Sequence, residues 1–264
     1  MKFAKMQAAG NDYVYVDYGE VKGGDFSKLS KMLSERSFGI GGDGLIVVEK
    51  SGYKSINMRI FNSDGSEGRT CGNGIRCSAF FAKKHLGIAE DEIFVETLSG
   101  VSKTEISRYT DKCAFVQADM GVPKLTGGER ELCEKLKERG VSVSPNDLFL
   151  VNVGNLHAVF FVDEKLEKLA EEIGKTRLFE DGINVERCVV CGEKVRAEVF
   201  ERGSGRTLAC GSGAVAVGYA TYLKSGQREI EVIMDGGTLG TAFSGGRASL
   251  SGMVNEVFTG EYEI

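Results

Sequence analysis

Apolar positions along the chain fall into short alternating or continuous runs, a pattern that predicts many strands and few helices. In the first half, residues 13–17, 45–49, 56–61, 93–97, 101–107 and 114–120 read as strands. In the second half the same reading applies to 148–153, 157–162, 183–190, 195–201, 229–234 and 248–257. Helical periodicity is confined to 26–37, 74–86, 130–139, 166–174 and 213–224. The last of these is apolar on nearly every side through Tyr219, which predicts a helix buried all round rather than one lying on a surface. A buried helix wrapped by strands suits each half, so the fold class is α+β.

Composition agrees with this picture and removes several kinds of partner. Thirty-six glycines against two prolines describe many short strands joined by glycine turns. Hydrophobic content of 42% with 27% charged residues is that of a soluble globular chain. A net charge of -5 without a basic block argues against nucleic acid, and no apolar run is long enough to span a bilayer. Residues 1–12 lack the apolar core and small-residue cleavage pattern of a signal peptide. The expected compartment is the cytoplasm, with no nucleic-acid and no membrane partner. Seven cysteines, an odd count, fit a reducing environment better than a disulfide scaffold. Cys188-Val189-Val190-Cys191 has metal-knuckle spacing, but it lies in a strand-like run with no second pair nearby, so burial is expected and no metal.

The chemistry is concentrated in a repeated tetrapeptide, Cys71-Gly72-Asn73-Gly74 and Cys210-Gly211-Ser212-Gly213, each opening a helical run. A thiol at a helix entry meets free N–H groups and the positive end of the helix dipole, which attract anions and favour thiolate. Two such thiols read as two half-sites for one ligand, the requirement of a racemase or epimerase. The natural division falls near Gly121-Val122-Pro123. It gives two pseudo-symmetric halves, 1–120 carrying Cys71 and 121–253 carrying Cys210, each a set of mostly antiparallel strands around a central helix, with the active site in the cleft between them. Strand ends around the thiols supply Asn62, Asn155 and Asn184 as neutral donors and acceptors, and Arg202 as a bidentate carboxylate clamp. The glycine-rich stretch 39–44 lacks the Gly-Lys-Ser/Thr ending of a phosphate loop and precedes a strand, so it reads as a turn. His85, near the end of the first of these helices, reads as a C-terminal surface residue.

The strings Gly10-Asn11-Asp12-Tyr13, Arg59-Ile60-Phe61-Asn62, Asp64-Gly65-Ser66-Glu67, Cys71-Gly72-Asn73-Gly74-Ile75-Arg76-Cys77, Gly154-Asn155, Asn184-Val185-Glu186, Glu201-Arg202-Gly203 and Ala209-Cys210-Gly211-Ser212-Gly213 resemble the diaminopimelate epimerase family. The resemblance implies a cofactor-independent isomerase interconverting LL- and meso-2,6-diaminopimelate, for lysine and peptidoglycan synthesis, acting as a homodimer. It implies Cys71 and Cys210 as the acid/base pair, with Gly72, Asn73, Gly211 and Ser212 binding the α-carboxylate. Asn11, Asn62, Asn155, Asn184, Glu201 and Arg202 would hold the distal amino acid end. It also implies that the C-terminal tail, about 254–264, returns to the first half. Gly44, Leu156, Arg206 and Asp235 depart from the pattern common in that family. Other readings are a related racemase acting on lanthionine, histidine or proline, and a non-catalytic amino-acid-binding or redox-sensing protein. The last two leave the second Cys-Gly-x-Gly helix unexplained.

Overall fold

A computed structural model describes residues 1–263; Ile264, the last residue of the tail expected to return to the first half, lies outside the described residues. The chain forms two units, Met1–Asp119 joined by the segment from Ser251, and Met120–Leu250.

In the first unit the order is β1 (Lys2–Ala8), β2 (Asn11–Asp17), α1 (Tyr18–Val21), α2 (Phe26–Ser34), β3 (Gly44–Lys50), β4 (Ser55–Asn62), β5 (Glu67–Gly68), α3 (Gly72–His85), β6 (Glu92–Thr97), β7 (Gly100–Ser107) and β8 (Cys113–Asp119). Strands β1–β2, β3–β4, β6–β7 and β7–β8 pair antiparallel, while β2–β3 and β4–β6 pair parallel across the helices that connect them. Helix α3 is buried from Gly72 to Ala82 and contacts strands on several sides, so it is the axis of the unit.

The second unit repeats the order after β9 (Lys124–Leu125) and α4 (Glu129–Glu138). It runs β10 (Leu148–Asn152), β11 (Leu156–Phe160), α5 (Leu166–Thr176), β12 (Asn184–Cys191), β13 (Lys194–Glu201), β14 (Gly205–Thr207), α6 (Gly211–Ser225), β15 (Glu229–Met234), β16 (Gly237–Ser244) and β17 (Arg247–Glu261). The pairings repeat as well: β10–β11, β12–β13 and β15–β16 are antiparallel, and β11–β12 and β13–β15 are parallel. Helix α6 is buried through Thr221 except at the half-buried Ser212 and Tyr219, in keeping with its nearly all-round apolar sequence, and it ends on Gly226 in the left-handed conformation. The later part of β17 belongs to the first unit, where Asn255–Glu261 pair antiparallel with β1.

Five strands escape the hydrophobic pattern: β5, β9 and β14 are only two or three residues long, and β1 and β16 are the long ones. Strand β1 carries Lys5 in its middle, buried against Asp12 at 2.6 Å and against the carbonyl of Gly41. Strand β16 interrupts Leu239 and Phe243 with Gly, Thr and Ala, and its buried Thr241 donates to the Ile230 carbonyl at 3.2 Å. Helix α2 stops three residues before its apolar pattern does, because Gly39, Ile40 and Gly41 turn back to donate to the carbonyls of Glu35 and Leu33. The Cys188/Cys191 pair sits an odd number of residues apart on β12, which sends the side chains to opposite faces. Cys188 is buried, with its thiol pKa pushed well above the usual value by that burial, and Cys191 is exposed.

Candidate active site

Both tetrapeptide cysteines are N-caps. Cys71 stands in extended backbone, φ -152° and ψ 116°, ahead of α3, and its Sγ accepts from the Gly74 N–H at 3.4 Å. Cys210 stands at φ -119° and ψ 122° ahead of α6, and its Sγ accepts from the Gly213 N–H at 3.3 Å. A cap of this kind takes one of the four N–H groups left without partners at a helix start. The N–H groups of Gly72, Asn73, Gly211 and Ser212 have no acceptor within their helices and carry the positive end of the dipole. This is why the two motifs bear glycine three positions on: Gly74 and Gly213 let the chain turn into the helix directly beneath the sulfur.

Around Cys71 the first unit gathers Asn11, whose Oδ1 lies 3.5 Å from Sγ. The Asn11 amide is fixed by Asp43, which accepts from Asn11 Nδ2 at 2.8 Å and from the Asp12 N–H at 3.0 Å. Asp12 and Asp43 share Arg36, at 3.0 and 3.1 Å. The glycine-rich turn, unremarkable as sequence, therefore supplies the carboxylate that aims Asn11. Asn73 is buried and its Oδ1 accepts from Arg76 Nη2 at 2.6 Å, so what the first turn of α3 leaves to a ligand is backbone. Asn62 closes the β4–β5 turn, donating to Ser66 Oγ at 3.0 Å, and is exposed. Gly44 opens β3 opposite Asn62, where an added Cβ would strike the Phe61 carbonyl. No larger residue enters there without moving β4.

Around Cys210 the second unit gathers more charge. Ser212 Oγ is 3.3 Å from Sγ. Glu201, at the end of β13, accepts from Thr207 Oγ1 at 2.5 Å and hydrogen-bonds the Cys210 thiol. Burial pushes the Cys210 thiol well above its usual pKa, the Glu201 and Glu186 carboxylates push it further, and Ser212 and the Gly213 N–H oppose them. Burial also raises the Glu201 carboxyl. Behind the helix start lies a hydrogen-bonded chain in which only Asn155 was expected at the site: His157 is fully buried, 2.6 Å from Glu186 Oε1 through Nδ1 and 2.9 Å from Asn155 Oδ1 through Nε2. Their one sequence signal is a Glu within the apolar run at 183–190.

Asn184 is used at both ends by the protein itself, donating to the Leu156 carbonyl at 2.9 Å and accepting from the Arg202 N–H at 3.0 Å. It fixes the turn that carries Arg202. The Arg202 guanidinium donates to the Asp181 carbonyl at 2.9 Å, crosses Gly182, and meets no carboxylate among the described residues. Two of the departures answer each other: Arg206 binds Asp235 at 3.2 Å, along with Glu167 and Glu198. His85 caps nothing catalytic; it holds Glu256 at 2.7 Å at the end of α3. Among the described residues no helix is long and apolar enough to cross a membrane.

Comparison with known proteins extends over the whole chain. Among solved structures, a predicted epimerase from Pseudomonas aeruginosa superposes with a TM-score of 0.73 at 14% identity, covering 99% of this chain and 98% of that one. A hydroxyproline epimerase from Agrobacterium vitis does so with a TM-score of 0.63 at 15% identity, covering 99% and 89%. These likenesses establish the fold, α+β with the same two-part architecture. Among curated proteins, the diaminopimelate epimerases of Caldanaerobacter subterraneus subsp. tengcongensis and Agathobacter rectalis are 37% and 35% identical, each with 100% of both chains covered. That of Methanococcus maripaludis is 36% identical with the same coverage. The diaminopimelate epimerase family profile matches residues 3–126 and 149–256. By these matches the chain, an isomerase, belongs to the diaminopimelate epimerase family.

Proposed function

We propose that this protein interconverts LL- and meso-2,6-diaminopimelate, with Cys71 and Cys210 as the two acid/base groups on opposite faces of one α-carbon. The observation that carries this reading is the pair of N-cap sulfurs, each held by the N–H three residues on and each beside two backbone N–H groups that have no acceptor within their helix. One sulfur, as thiolate, takes the α-proton while the other, as thiol, delivers a proton to the opposite face; the reverse reaction exchanges the roles. Charge that moves onto the α-carboxylate as the C–H bond breaks is met by the N–H groups of Gly72, Asn73, Gly211 and Ser212. Acid/base transfer of this kind contributes about 10²–10⁴-fold, and the remainder comes from positioning and exclusion of water.

The distal amino acid end falls to Asn11, Asn62, Asn155, Glu201 and Arg202, with Asn184 fixing the Arg202 turn. A zwitterionic distal end matches an acidic and a basic side chain together, which favours diaminopimelate over proline. The reaction uses no cofactor in this reading. The odd cysteine count supports a cytoplasmic protein, and the family resemblance supports a homodimer. The test is α-proton exchange in heavy water with LL-diaminopimelate. Cys71→Ala and Cys210→Ala should each lose turnover while unfolding cooperatively like the parent, and normal turnover in either variant removes the two-thiol reading. Light scattering decides the dimer.

A further inference from the structure

Asn11 brings its side-chain oxygen against the sulfur of the first half-site, with Oδ1 3.5 Å from Cys71 Sγ. It opens β2 directly after a two-residue turn in which Ala9 and Gly10 both take positive φ, 51° and 81°, and Ala8 pairs with Asn11. Positive φ at both central positions is the hairpin geometry that matches the twist of the strands, and an alanine adopts it against its steric preference. The Gly10 N–H donates to Gln7 Oε1 at 3.0 Å and steadies the turn. The backbone of Asn11 is therefore fixed where β2 begins.

The side chain is fixed as well, and in one sense only. Asp43 Oδ2 accepts from Asn11 Nδ2 at 2.8 Å and from the Asp12 N–H at 3.0 Å, while the Asp43 N–H donates to the Asp12 carbonyl at 2.7 Å. A carboxylate only accepts, so it selects the nitrogen of the Asn11 amide and turns the oxygen toward the sulfur. Asp43 is held in turn by Arg36 at 3.1 Å, and Arg36 and the buried Lys5 hold Asp12 at 3.0 and 2.6 Å. The loop is closed tightly over this cluster: a Cβ added at Gly42 would strike the Lys5 ammonium and the Asp12 carbonyl. An amide oxygen accepts the S–H of a thiol but offers a thiolate only lone pairs. At the same sulfur the Gly74 N–H and the helix dipole favour the thiolate.

We propose that Asp43 is a positioning residue for Cys71: by holding the Asn11 oxygen on the sulfur, it offsets the pull of the helix start toward thiolate and lets Cys71 keep the proton it must deliver as an acid. A thiol lowered as far as a helix start allows loses its proton too readily to donate one, and each sulfur of the pair has to serve in both roles. Tyr15 on β2 and Arg76 and Cys77 on α3 also bear on the sulfur electrostatically. Burial pushes the Tyr15 phenol well above its usual value and the Cys77 thiol up to about 12. All three residues are the same in every variant below. The use of the proton rests on the two-thiol reading; the chain from Asp43 through Asn11 to the sulfur stands without it.

The experiment is the pH dependence of iodoacetamide alkylation at Cys71 in the reduced, full-length protein, read peptide by peptide by mass spectrometry, with Cys210 in the same samples as the control. Asn11→Ala should lower the Cys71 midpoint by roughly half to one pH unit and leave that of Cys210 in place. Asp43→Ala should reproduce the drop, and Asn11→Ala with Asp43→Ala together should fall no further than Asn11→Ala alone, within about 0.2 unit. Asp43→Asn keeps an oxygen for the Asn11 amide and should stay nearer the parent. An unchanged or raised Cys71 midpoint in Asn11→Ala overturns the proposal. So does additivity in the double variant, which would show Asp43 acting by its charge and not through Asn11. If Asp43→Ala does not melt cooperatively, Asp43→Asn decides: a drop as large as that of Asn11→Ala overturns the proposal. Because alkylation needs no substrate, these outcomes stand apart from loss or retention of turnover in the cysteine variants, which tests the two-thiol reading alone.

Discussion

Adding one methyl group at Gly213 tests how tightly the second half-site is assembled. In Gly213→Ala the new Cβ would lie 2.7 Å from Glu186 Oε1 and 3.1 Å from Cys210 Cβ. Ordinary carbon contacts begin near about 3.5 Å, so a gap of more than roughly half an ångström must open. Glu186 cannot swing away, since it is fully buried in the middle of the unit and bound to His157 at 2.6 Å. Either the first turn of α6 lifts from Cys210 or the Glu186–His157 bond stretches. Overpacking costs about 1–3 kcal/mol and weakening a hydrogen bond to a charged group about 1.5–3, against up to about 1 kcal/mol returned by the better helix propensity of Ala. A net loss of about 2–4 kcal/mol lowers the melting temperature by roughly 5–15 °C in a chain of this size. The mirror variant, Gly74→Ala, meets the ends of two flexible side chains, Ile46 Cδ1 at 2.9 Å and Met58 Cε at 3.6 Å, and Cys71 Cβ at 3.3 Å. Its cost should be close to zero and should vanish when Ile46→Val removes that methyl. Thermal unfolding followed by circular dichroism compares the two directly. If Gly213→Ala melts within about 1 °C of the parent, or if Gly74→Ala is the more damaging, the account of Glu186 as a fixed wall beneath Cys210 is wrong.

Three further outcomes follow from the charges. The Glu201 carboxyl is raised by burial, so its ionisation in the fold costs stability that is intact below the unfolded value near about 4.3 and lost as pH rises through the folded one. Glu201→Gln should therefore melt higher than the parent at pH 7–8 and equally at about pH 4; the same gain at both pH values would refute the assignment. Burial works against ionisation of Glu256, but Lys84 and His85 outweigh it and lower its pKa, giving stability present above about 4.3 and lost as pH falls through the folded value. Glu256→Gln should lose several degrees at pH 7, with the gap closing towards about pH 3. A double-mutant cycle on Arg206 and Asp235, both on the half-exposed surface, should return a coupling below about 1 kcal/mol, and a value several times larger would show a structural role beyond a surface ion pair.

Local pattern sets the elements and the chemistry that belongs to them. Alternation marked most strands, all-round apolarity marked α6 as buried, and two Cys-Gly-x-Gly strings placed a thiol at the start of a helix, because capping depends only on the next three residues. The sequence by itself could not show which charged side chains are buried or what they meet. Lys5 breaks the apolar run of β1, and only pairing with β2 brings Asp12 to it. Asp43 aims Asn11 from 32 positions away in the chain. Glu186 and His157 come from neighbouring parallel strands to lie under α6, and Arg76 is buried against the first turn of α3, bonded to Gly72 and Asn73. Helix capping is a matter of neighbours in sequence, whereas desolvation and the charge that answers it depend on the elements packed overhead, and these only the tertiary structure decides.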